Sequence, residues 1–434
     1  MLLIYNILLW LAFPFIALYY GTKMLLTGKY KKGLRQRFGL FSPEVLTGAK
    51  GSPRIWVHAV SVGEVTAAAP IIASLREQFP DASIVLSIAT ETGQEMARRI
   101  VTAVNAFIYY PIDISFVARK AIDQVLPDIF VLVETELWPN FIWHCRSRGV
   151  KIVMTNGRLS PRSYRKYALT RFFWKGILDA VDEVGAISEA DAERFRSLGV
   201  SESRLHVLGN AKYDSLAAKA SSAVQEEISL RLNIRPGEHV FIAGSTHEGE
   251  EVIILDVYRE LLKTWPDFKL IIVPRHIERA HAVLALADDA GFGGRITMTE
   301  IAGGKKRRDE RIIIVDVIGE LFKAYSLATV VFCGGSLVPK GGQNILEAAA
   351  WGKVVFYGPF MDDFLEEKAM LEEAGTGIPV RNGVELLAGI VKMMADPDGL
   401  AGRGERCRRM IAANMGASRR YAELIKTCLP PPII

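Results

Sequence analysis

WVHAVSVGEVTAAAPII, residues 56–72, has the pattern of a buried strand that runs through a short turn into a helix. Apolar residues broken only by His58 lead to the small turn residues Ser61 and Gly63, and an Ala-rich run follows. Glu64 stands at the turn. It is either an acidic first-turn residue stabilised by the helix dipole, or a functional carboxylate at the carboxyl end of a strand, where parallel sheets bind ligands.

The same alternation of strand and helix continues along the chain. Near-continuous apolar runs, typical of strands buried on both faces, predict two sets of parallel strands separated by an Ala/Ser/Glu-rich stretch. We therefore expect an α/β protein with two doubly wound domains and ligands in the cleft between them. The strands are predicted at 54–60, 83–90, 105–110, 128–134, 151–156 and 183–188, then at 239–245, 269–274, 311–316, 329–334 and 353–358.

Length and composition agree with two folded domains. The chain has 434 residues, more than one ordinary core accommodates. Its net charge of +5 does not indicate nucleic-acid binding. The four cysteines lack paired spacing, which argues against disulfides or a zinc site and favours a reducing compartment. The predicted boundaries are an anchor at 1–22, domains at 23–212 and 237–412, a linker at 213–236 and a C-terminal helix at 413–434.

The N-terminus is a predicted membrane anchor. Residues 1–21 carry no charged side chain and are about long enough to cross a bilayer. A basic flank follows, and the positive-inside rule places it, with the main body, in the cytoplasm. A helix lying in the interface is the alternative to a spanning one. The flank, which would also attract anionic headgroups, comprises Lys23, Lys29, Lys31, Lys32, Arg35 and Arg37.

Polar clusters follow several predicted strands. ETELWPN, 134–140, follows one, and a basic, hydroxyl-rich segment follows the next. At the carboxyl end of a sheet this segment is suited to a polyanion, although a solvated loop and helix start would explain it equally. The candidate polyanion-binding residues of this segment are Arg158, Ser160, Arg162 and Arg165.

The second domain has glycine-rich strand ends. Arg275 follows one strand, Gly319 opens a predicted helix, and GGSLVPKGGQNILE, 334–347, follows another strand. Glycines allow close backbone approach, and a helix predicted to begin near Gln343 offers N–H groups to phosphate, with Glu347 one turn inside it. GxGxxG after the first strand, GxxxxGK[ST] and GxSxG are missing, which argues against dehydrogenases, P-loop NTPases and α/β-hydrolases.

Taken in order, HAVSVGEV, ETELWPN, NGRLSPRS, GNAKYD, GSTHEGEE, VPRHIER and GGSL…GGQNILE resemble the 3-deoxy-D-manno-octulosonic acid (Kdo) transferases of Gram-negative bacteria. The resemblance covers nearly the whole chain. It implies the GT-B glycosyltransferase fold, two Rossmann-like domains facing across a cleft, and transfer of Kdo from CMP-Kdo to the lipid A precursor lipid IVA, with inversion. It also implies a location on the cytoplasmic face of the inner membrane.

The resemblance also implies residue roles. Glu64 matches the general base, which removes a proton from an acceptor hydroxyl. Glu134 and Lys212 match transition-state stabilisers, and Lys212 can neutralise charge on the departing phosphate or the donor carboxylate. Ile345 stands where the family often has Pro. The CMP-binding positions are Pro274, Arg275, Ile318, Gly319, Glu320, Asn344, Ile345, Leu346 and Glu347, and the acceptor-binding positions are Arg158, Ser160, Arg162 and Arg165.

The expected partners are CMP-Kdo, lipid IVA and an anionic membrane surface, without nucleic acid, metal or another cofactor. No Asp-x-Asp motif stands at a strand end, and helix N-termini and cations take the place of a metal in this fold. Two alternatives remain at this level. One is another GT-B nucleotide-sugar enzyme, either a different glycosyltransferase or a sugar epimerase. The other is a non-catalytic, membrane-anchored nucleotide-binding scaffold.

Overall fold

The computed structural model describes residues 2–27, 32–48, 50–305, 307 and 310–429. Lys29 and Lys31 of the basic flank lie outside these residues. The chain forms two compact units, one of 1–215 with 414–434 and one of 216–413.

All fourteen described strands belong to two parallel sheets. The first contains β1 (Arg54–Ala59), β2 (Ser83–Ile88), β3 (Ala106–Tyr109), β4 (Ile129–Val133), β5 (Lys151–Gly157), β6 (Glu183–Ala186) and β7 (Leu205–Val207). The second contains β8 (Val240–Thr246), β9 (Lys269–Pro274), β10 (Arg295–Thr297), β11 (Ile312–Ile314), β12 (Val330–Cys333), β13 (Val355–Tyr357) and β14 (Gly377–Pro379).

Helices connect and cover these strands. They are α1 (Leu2–Thr27), α2 (Leu34–Arg37), α3 (Pro43–Leu46), α4 (Val62–Gln78), α5 (Glu91–Ile100), α6 (Ser115–Val125), α7 (Pro139–Ser147), α8 (Pro161–Leu169), α9 (Arg171–Leu178), α10 (Glu189–Leu198) and α11 (Lys212–Lys219). The remaining ones are α12 (Ser222–Leu232), α13 (Glu250–Thr264), α14 (Ala280–Asp289), α15 (Met298–Ala302), α16 (Leu321–Tyr325), α17 (Leu346–Ala349), α18 (Leu365–Glu373), α19 (Gly383–Met394), α20 (Pro397–Ala413) and α21 (Ala417–Cys428). Two short 3₁₀ helices are formed by Glu202–Arg204 and Ile277–Arg279.

Each sheet has the doubly wound order. The first is β3-β2-β1-β4-β5-β6-β7 and the second is β10-β11-β9-β8-β12-β13-β14, with parallel pairing throughout. The order reverses between β1 and β4 and between β8 and β12. Ligands bind in this fold at the carboxyl ends of the strands beside such a reversal. The predicted fold class, two Rossmann-like α/β domains, is confirmed.

The strands are apolar because both faces of each sheet are covered. In the first unit, Trp56 and Phe130 pack on one face, while Val57 and Val131 pack on the other. The last helix completes this second face, since Tyr421 joins the same core and donates a 2.7 Å hydrogen bond to the Gly209 carbonyl. The far end of the chain therefore stabilises the first unit.

The last helix is fixed at its start by Asp214. This carboxylate accepts hydrogen bonds from the Gly416 and Ser418 N–H groups at 2.6 and 2.7 Å. A carboxylate at a helix N-terminus satisfies N–H groups that have no partner inside the helix. The Asp of GNAKYD therefore connects the segment after β7 to the return of the chain.

Helix α1 is long and apolar enough to cross a membrane over Leu2–Leu26. It contains Pro14, and the hydrophobic side chains along most of its length are exposed. Such a surface is stable against lipid, since exposed apolar area of this size is unfavourable in water.

Candidate active site

Glu64 is held by the turn that joins β1 to α4. The Val60 N–H donates to Oε2, and the Ser61 hydroxyl donates to Oε1 at 2.8 Å. Ser61 is the N-cap residue, and Glu64 is the third residue of the helix. The Glu64 side chain therefore folds back over the start of the helix and is held by the residues on either side of the turn. Only 7% of the residue remains exposed.

The surroundings of Glu64 make it a stronger base than an ordinary carboxylate. Burial raises its pKa from 4.5 to about 7, against hydrogen bonds from Val60 and Ser61 that lower it. The neighbouring charge of Glu134 raises the pKa further, and that of Lys212 lowers it. A group with this pKa exchanges protons efficiently near neutral pH.

Glu134, directly after β4, forms an ion pair with Lys212 at the start of α11. The Lys212 Nζ lies 2.7 Å from Glu134 Oε1, and both side chains are largely shielded from solvent. Glu134 has a φ of 62°, an unfavourable left-handed conformation for a residue with a side chain. Its N–H nonetheless donates to the Thr155 carbonyl at 2.8 Å, so β5 stabilises this conformation. Non-glycine residues held in this region concentrate at functional sites.

Two asparagines hold the backbone that carries Lys212. Asn156, with a φ of 53°, accepts a 2.9 Å hydrogen bond from the Ala211 N–H. The Asn210 side chain accepts one from the Lys212 N–H at 3.0 Å. The asparagines of the pairs Asn156-Gly157 and Gly209-Asn210 thus place Lys212 at the start of α11.

Glu64, Glu134 and Lys212 meet where the first sheet reverses its order. Glu64 follows β1 and Glu134 follows β4, the two strands beside the reversal. A Cβ atom added to Gly63 would lie 3.9 Å from the Lys212 Nζ, so the ammonium group lies against the first turn of α4. The structure therefore combines a carboxylate that titrates near pH 7 with a fixed cation.

Glu136 is a further member of this cluster, for which the sequence suggested no role. Burial raises its pKa from 4.5 to about 8, and the charges of Glu64 and Glu134 raise it as well. At neutral pH this carboxyl group is mostly protonated, so it can donate a hydrogen bond. The two glutamates of ETE were visible in the sequence, but the burial and the neighbouring charges that keep one of them neutral were not.

The four predicted acceptor-binding residues follow β5. Ser160 is the N-cap of α8 and accepts a 3.1 Å hydrogen bond from the Ser163 N–H. The Arg158 carbonyl accepts from the Thr135 hydroxyl at 2.5 Å, which joins this segment to ETELWPN. Arg162 and Arg165 are exposed. Ser160 thus has a structural role, while the exposed side chains of Arg162 and Arg165 are accessible to an anion.

In the second unit, the predicted nucleotide-binding residues follow β9, β11 and β12. Arg275 is exposed after the buried Pro274, and its N–H donates to the Thr246 carbonyl at 3.0 Å. Ile318 is exposed and Gly319 has a φ of 92°. The last member of this group, Glu320, forms an ion pair with Arg231 at 3.4 Å.

Helix α17 corrects one expectation. The predicted helix from about Gln343 begins at Leu346 and extends only to Ala349, so Glu347 is its second residue. The helix is too short for a strong dipole. The Asn344 side chain accepts a 3.1 Å hydrogen bond from the Leu346 N–H, and Ile345 is buried.

Glu347 lies close to two cations of its own unit. Burial raises the pKa of this carboxyl group, while the charges of Lys219 and Arg275 lower it. The Asn344 amide is 3.5 Å from Glu347 Oε1. A half-buried carboxylate near an arginine, beside the reversal between β8 and β12, is suited to sugar hydroxyls with a phosphate nearby.

Glu250 organises the glycine-rich loop, a role that the sequence did not reveal. It is fully buried, and its carboxylate accepts hydrogen bonds from four backbone N–H groups. One is His247, at 2.9 Å, and the others are Gly335, Ser336 and Leu337, at 2.8 to 3.1 Å. The loops after β8 and β12 are thereby joined.

Close backbone packing explains one glycine of this loop. A Cβ atom at Gly334 would lie 2.4 Å from the Ser245 carbonyl oxygen and 2.6 Å from Thr246 Cα, so no side chain fits there. Ser245 itself has a φ of 54°. The end of β12 thus packs directly on the end of β8.

Known proteins resemble this chain over its length. A sequence model described as 3-deoxy-D-manno-octulosonic-acid transferase (kdotransferase) matches residues 32–215. The 3-deoxy-D-manno-octulosonic acid transferase of Haemophilus influenzae is 31% identical, covering 98% of both chains. That of Chlamydia trachomatis serovar A is 28% identical over 82% of this chain and 81% of the relative.

Solved structures share the fold at low identity. A putative UDP-N-acetylglucosamine 2-epimerase from Listeria monocytogenes has a TM-score of 0.60 at 15% identity, covering 86% of this chain and 96% of that one. A glycosyltransferase from Rickettsia africae has a TM-score of 0.56 at 14% identity, covering 86% and 98%. These likenesses support the fold, and the sequence relatives identify the chain. The chain belongs to the 3-deoxy-D-manno-octulosonic acid (Kdo) transferase family and is a glycosyltransferase.

Proposed function

We propose that this enzyme transfers Kdo from CMP-Kdo to lipid IVA, with inversion, at the cytoplasmic face of the inner membrane. The observation that carries the proposal is the buried Glu64 carboxylate, with a pKa of about 7, beside the Lys212–Glu134 ion pair. A sugar hydroxyl is a weak nucleophile until a base removes its proton. Glu64 is the base in this proposal.

The reaction is a single displacement. The acceptor oxygen attacks the anomeric carbon of Kdo as its proton passes to a Glu64 carboxylate oxygen. The bond from the anomeric carbon to the CMP phosphate breaks, and CMP leaves with the bonding electron pair. Lys212 stabilises the negative charge of the phosphate or of the donor carboxylate, and Glu134 keeps the ammonium group in place.

The second unit binds the cytidylate in this proposal. Arg275 neutralises the phosphate, and Glu347 accepts hydrogen bonds from the ribose hydroxyls. The loop at Ile318, Gly319 and Glu320 and the segment Asn344–Glu347 surround the nucleotide. Support comes from the exposed Arg275 side chain, the positive φ of Gly319 and the charge of Arg275, which lowers the pKa of Glu347.

The first unit binds the acceptor. Arg158, Arg162 and Arg165 contact the phosphates of the lipid, since guanidinium groups pair well with phosphate. The exposed apolar surface of α1 keeps the enzyme at the membrane, where the lipid acceptor resides. The basic flank, which includes the described residues Lys23, Lys32, Arg35 and Arg37, adds attraction to anionic headgroups.

The proposal is tested with purified protein in lipid vesicles. Radiolabelled CMP-Kdo and lipid IVA are supplied. The free CMP is quantified, and the mass of the lipid product is measured by mass spectrometry. We expect CMP to be released as the lipid product forms, and the mass of the product to exceed that of lipid IVA by a whole number of Kdo units. Conversion of UDP-N-acetylglucosamine instead would favour an epimerase. CMP binding without any lipid product would favour a non-catalytic scaffold.

A further inference from the structure

The first turn of α1 is bound to the folded body by polar side chains that the proposed reaction does not use. The Tyr5 hydroxyl donates to Asp113 Oδ2 at 2.9 Å. The side-chain amides of Asn6 and Asn140 donate to each other, each at 2.9 Å. Tyr5 also lies 6.0 Å from the Phe173 ring, between centroids.

The partners on the body are buried and form one network. Asp113 is 5% exposed and Asn140 is fully buried. The Asp113 carboxylate also accepts the Asn140 and Phe141 N–H groups, at 3.1 and 2.9 Å, at the start of α7. The Asn140 amide donates to the Asp113 carbonyl at 2.6 Å. Buried hydrogen bonds to a carboxylate contribute more to stability than exposed ones.

The far end of α1 leads back to the same part of the body. The Tyr109 N–H donates to the Gln36 side chain at 2.7 Å, and the Ile112 N–H donates to the Arg37 carbonyl at 2.9 Å. Both contacts belong to the segment that ends in Asp113. The first turn of α1 and the segment that follows α1 therefore attach to the same part of the body, from the end of β3 at Tyr109 to Asp113.

This arrangement is incompatible with a helix that crosses the bilayer. From Tyr5 to Thr27 an α-helix extends about 33 Å, similar to the thickness of a hydrocarbon core. If Thr27 were on the side of the body after a full crossing, Tyr5 would lie on the opposite side. If Tyr5 were on the side of the body, Thr27 would have to be joined to Leu34 through lipid, over seven residues that reach at most about 24 Å.

We propose that α1 is a one-leaflet anchor, clasped to the acceptor-binding unit through Tyr5–Asp113 and Asn6–Asn140, so that membrane attachment positions the loop that carries Glu134. Asn140 is the last residue of ETELWPN and the second residue of α7, whose start the clasp caps. Tension or tilt on the anchor is transmitted to that loop. The exposed apolar side of α1 contacts lipid at the membrane interface.

The topology is tested by labelling in cells. A cysteine is introduced at Leu3, exposed and outside the clasp, and a second variant carries Lys120→Cys on the body. A thiol reagent that enters the periplasm but does not cross the inner membrane is applied. We expect Leu3→Cys to resist labelling, like Lys120→Cys, until the inner membrane is opened. Labelling of Leu3→Cys in intact cells would overturn the proposal.

The clasp is tested by hydrogen exchange on the full-length protein in vesicles. The double substitution Tyr5→Phe with Asn6→Leu removes the polar contacts and keeps the helix apolar. We expect amide exchange in α7 to become about tenfold faster. The matched control is Tyr19→Phe with Thr22→Leu, since Thr22 bonds carbonyls of its own helix. Equal exchange in both double variants would contradict the clasp.

Discussion

The ammonium group of Lys212 lies 2.7 Å from the Glu134 carboxylate, and the two residues act in opposite directions on the pKa of Glu64. Glu134 raises this pKa and Lys212 lowers it. Because they come from the loops after β4 and β7, the basicity of Glu64 depends on how three segments of one sheet edge meet. The following predictions use this dependence.

The first prediction concerns the pH dependence of the wild-type enzyme. Glu64 must be deprotonated to accept a proton, and its pKa is about 7. kcat/KM should therefore rise about tenfold per pH unit below pH 7 and level off above it. Initial rates between pH 5 and pH 9, at saturating CMP-Kdo and subsaturating lipid acceptor, give kcat/KM for the acceptor. A profile that is flat from pH 5 to pH 7 would rule out a base with this pKa.

Neutralising Glu134 and neutralising Lys212, in separate variants, should shift the pH profile of kcat/KM in opposite directions. Glu134→Gln removes a charge that raises the pKa of Glu64, so the ascending limb should shift to lower pH. Lys212→Met removes a charge that lowers it, so the limb should shift to higher pH. Lys212→Met should also reduce kcat by about 100- to 1,000-fold, as for a lost electrostatic stabiliser.

The control for these two variants is Lys166→Met, an exposed lysine on α8. The Lys166→Met variant should have the same pH profile of kcat/KM as the wild-type enzyme. Shifts of Glu134→Gln and Lys212→Met in the same direction would mean that their charges do not act on a common titrating group.

Glu250 should be essential for the second unit to fold stably. Glu250→Ala leaves four N–H groups without their acceptor in a buried region, and we expect a loss of about 3–5 kcal/mol in the free energy of unfolding. Glu248→Ala, in an 87% exposed neighbour, should change it by less than about 0.5 kcal/mol. Chemical denaturation monitored by tryptophan fluorescence compares the two. Similar midpoints for both variants would contradict the role of Glu250.

The arginines after β5 should determine affinity for the lipid rather than for the nucleotide. Removing two exposed cations, with Arg162→Ala and Arg165→Ala together, should weaken acceptor binding by roughly 2 kcal/mol, about 30-fold in KM, and less at high salt. The affinity for CMP, measured by calorimetry, should stay within about twofold. Arg409→Ala in the second unit is the matched control. An unchanged acceptor KM in the double variant would remove these residues from the acceptor site.

Much of the fold was predictable from local pattern. Each of the eleven predicted strands is present, because strands buried on both faces need continuous apolar runs. The three described strands that were not predicted, β7, β10 and β14, have three residues each. A segment such as Leu205–Val207 is too short to show a pattern, and its neighbour β6 makes it a strand.

The candidate site was predictable in part. The motif resemblance identified Glu64, Glu134 and Lys212 as candidate catalytic residues, and the structure places them in one cluster. Sequence could not reveal that Glu250 binds a loop 85 residues away, or that Tyr5 reaches Asp113 across 108 residues. Both depend on tertiary contacts that leave no local signal. The neutral state expected of Glu136 has the same origin, since it follows from burial in the folded protein and from the nearby charges of Glu64 and Glu134.

The most direct test of the proposed mechanism is single-turnover transfer by Glu64→Gln in lipid vesicles, with CMP affinity measured on the same preparation. The amide keeps the size of the side chain but cannot accept the acceptor proton as a carboxylate does. We expect turnover to fall by about 100- to 10,000-fold while CMP binds with unchanged affinity. Turnover within a few-fold of the wild-type value, with CMP binding intact, would contradict the assignment of Glu64 as the base.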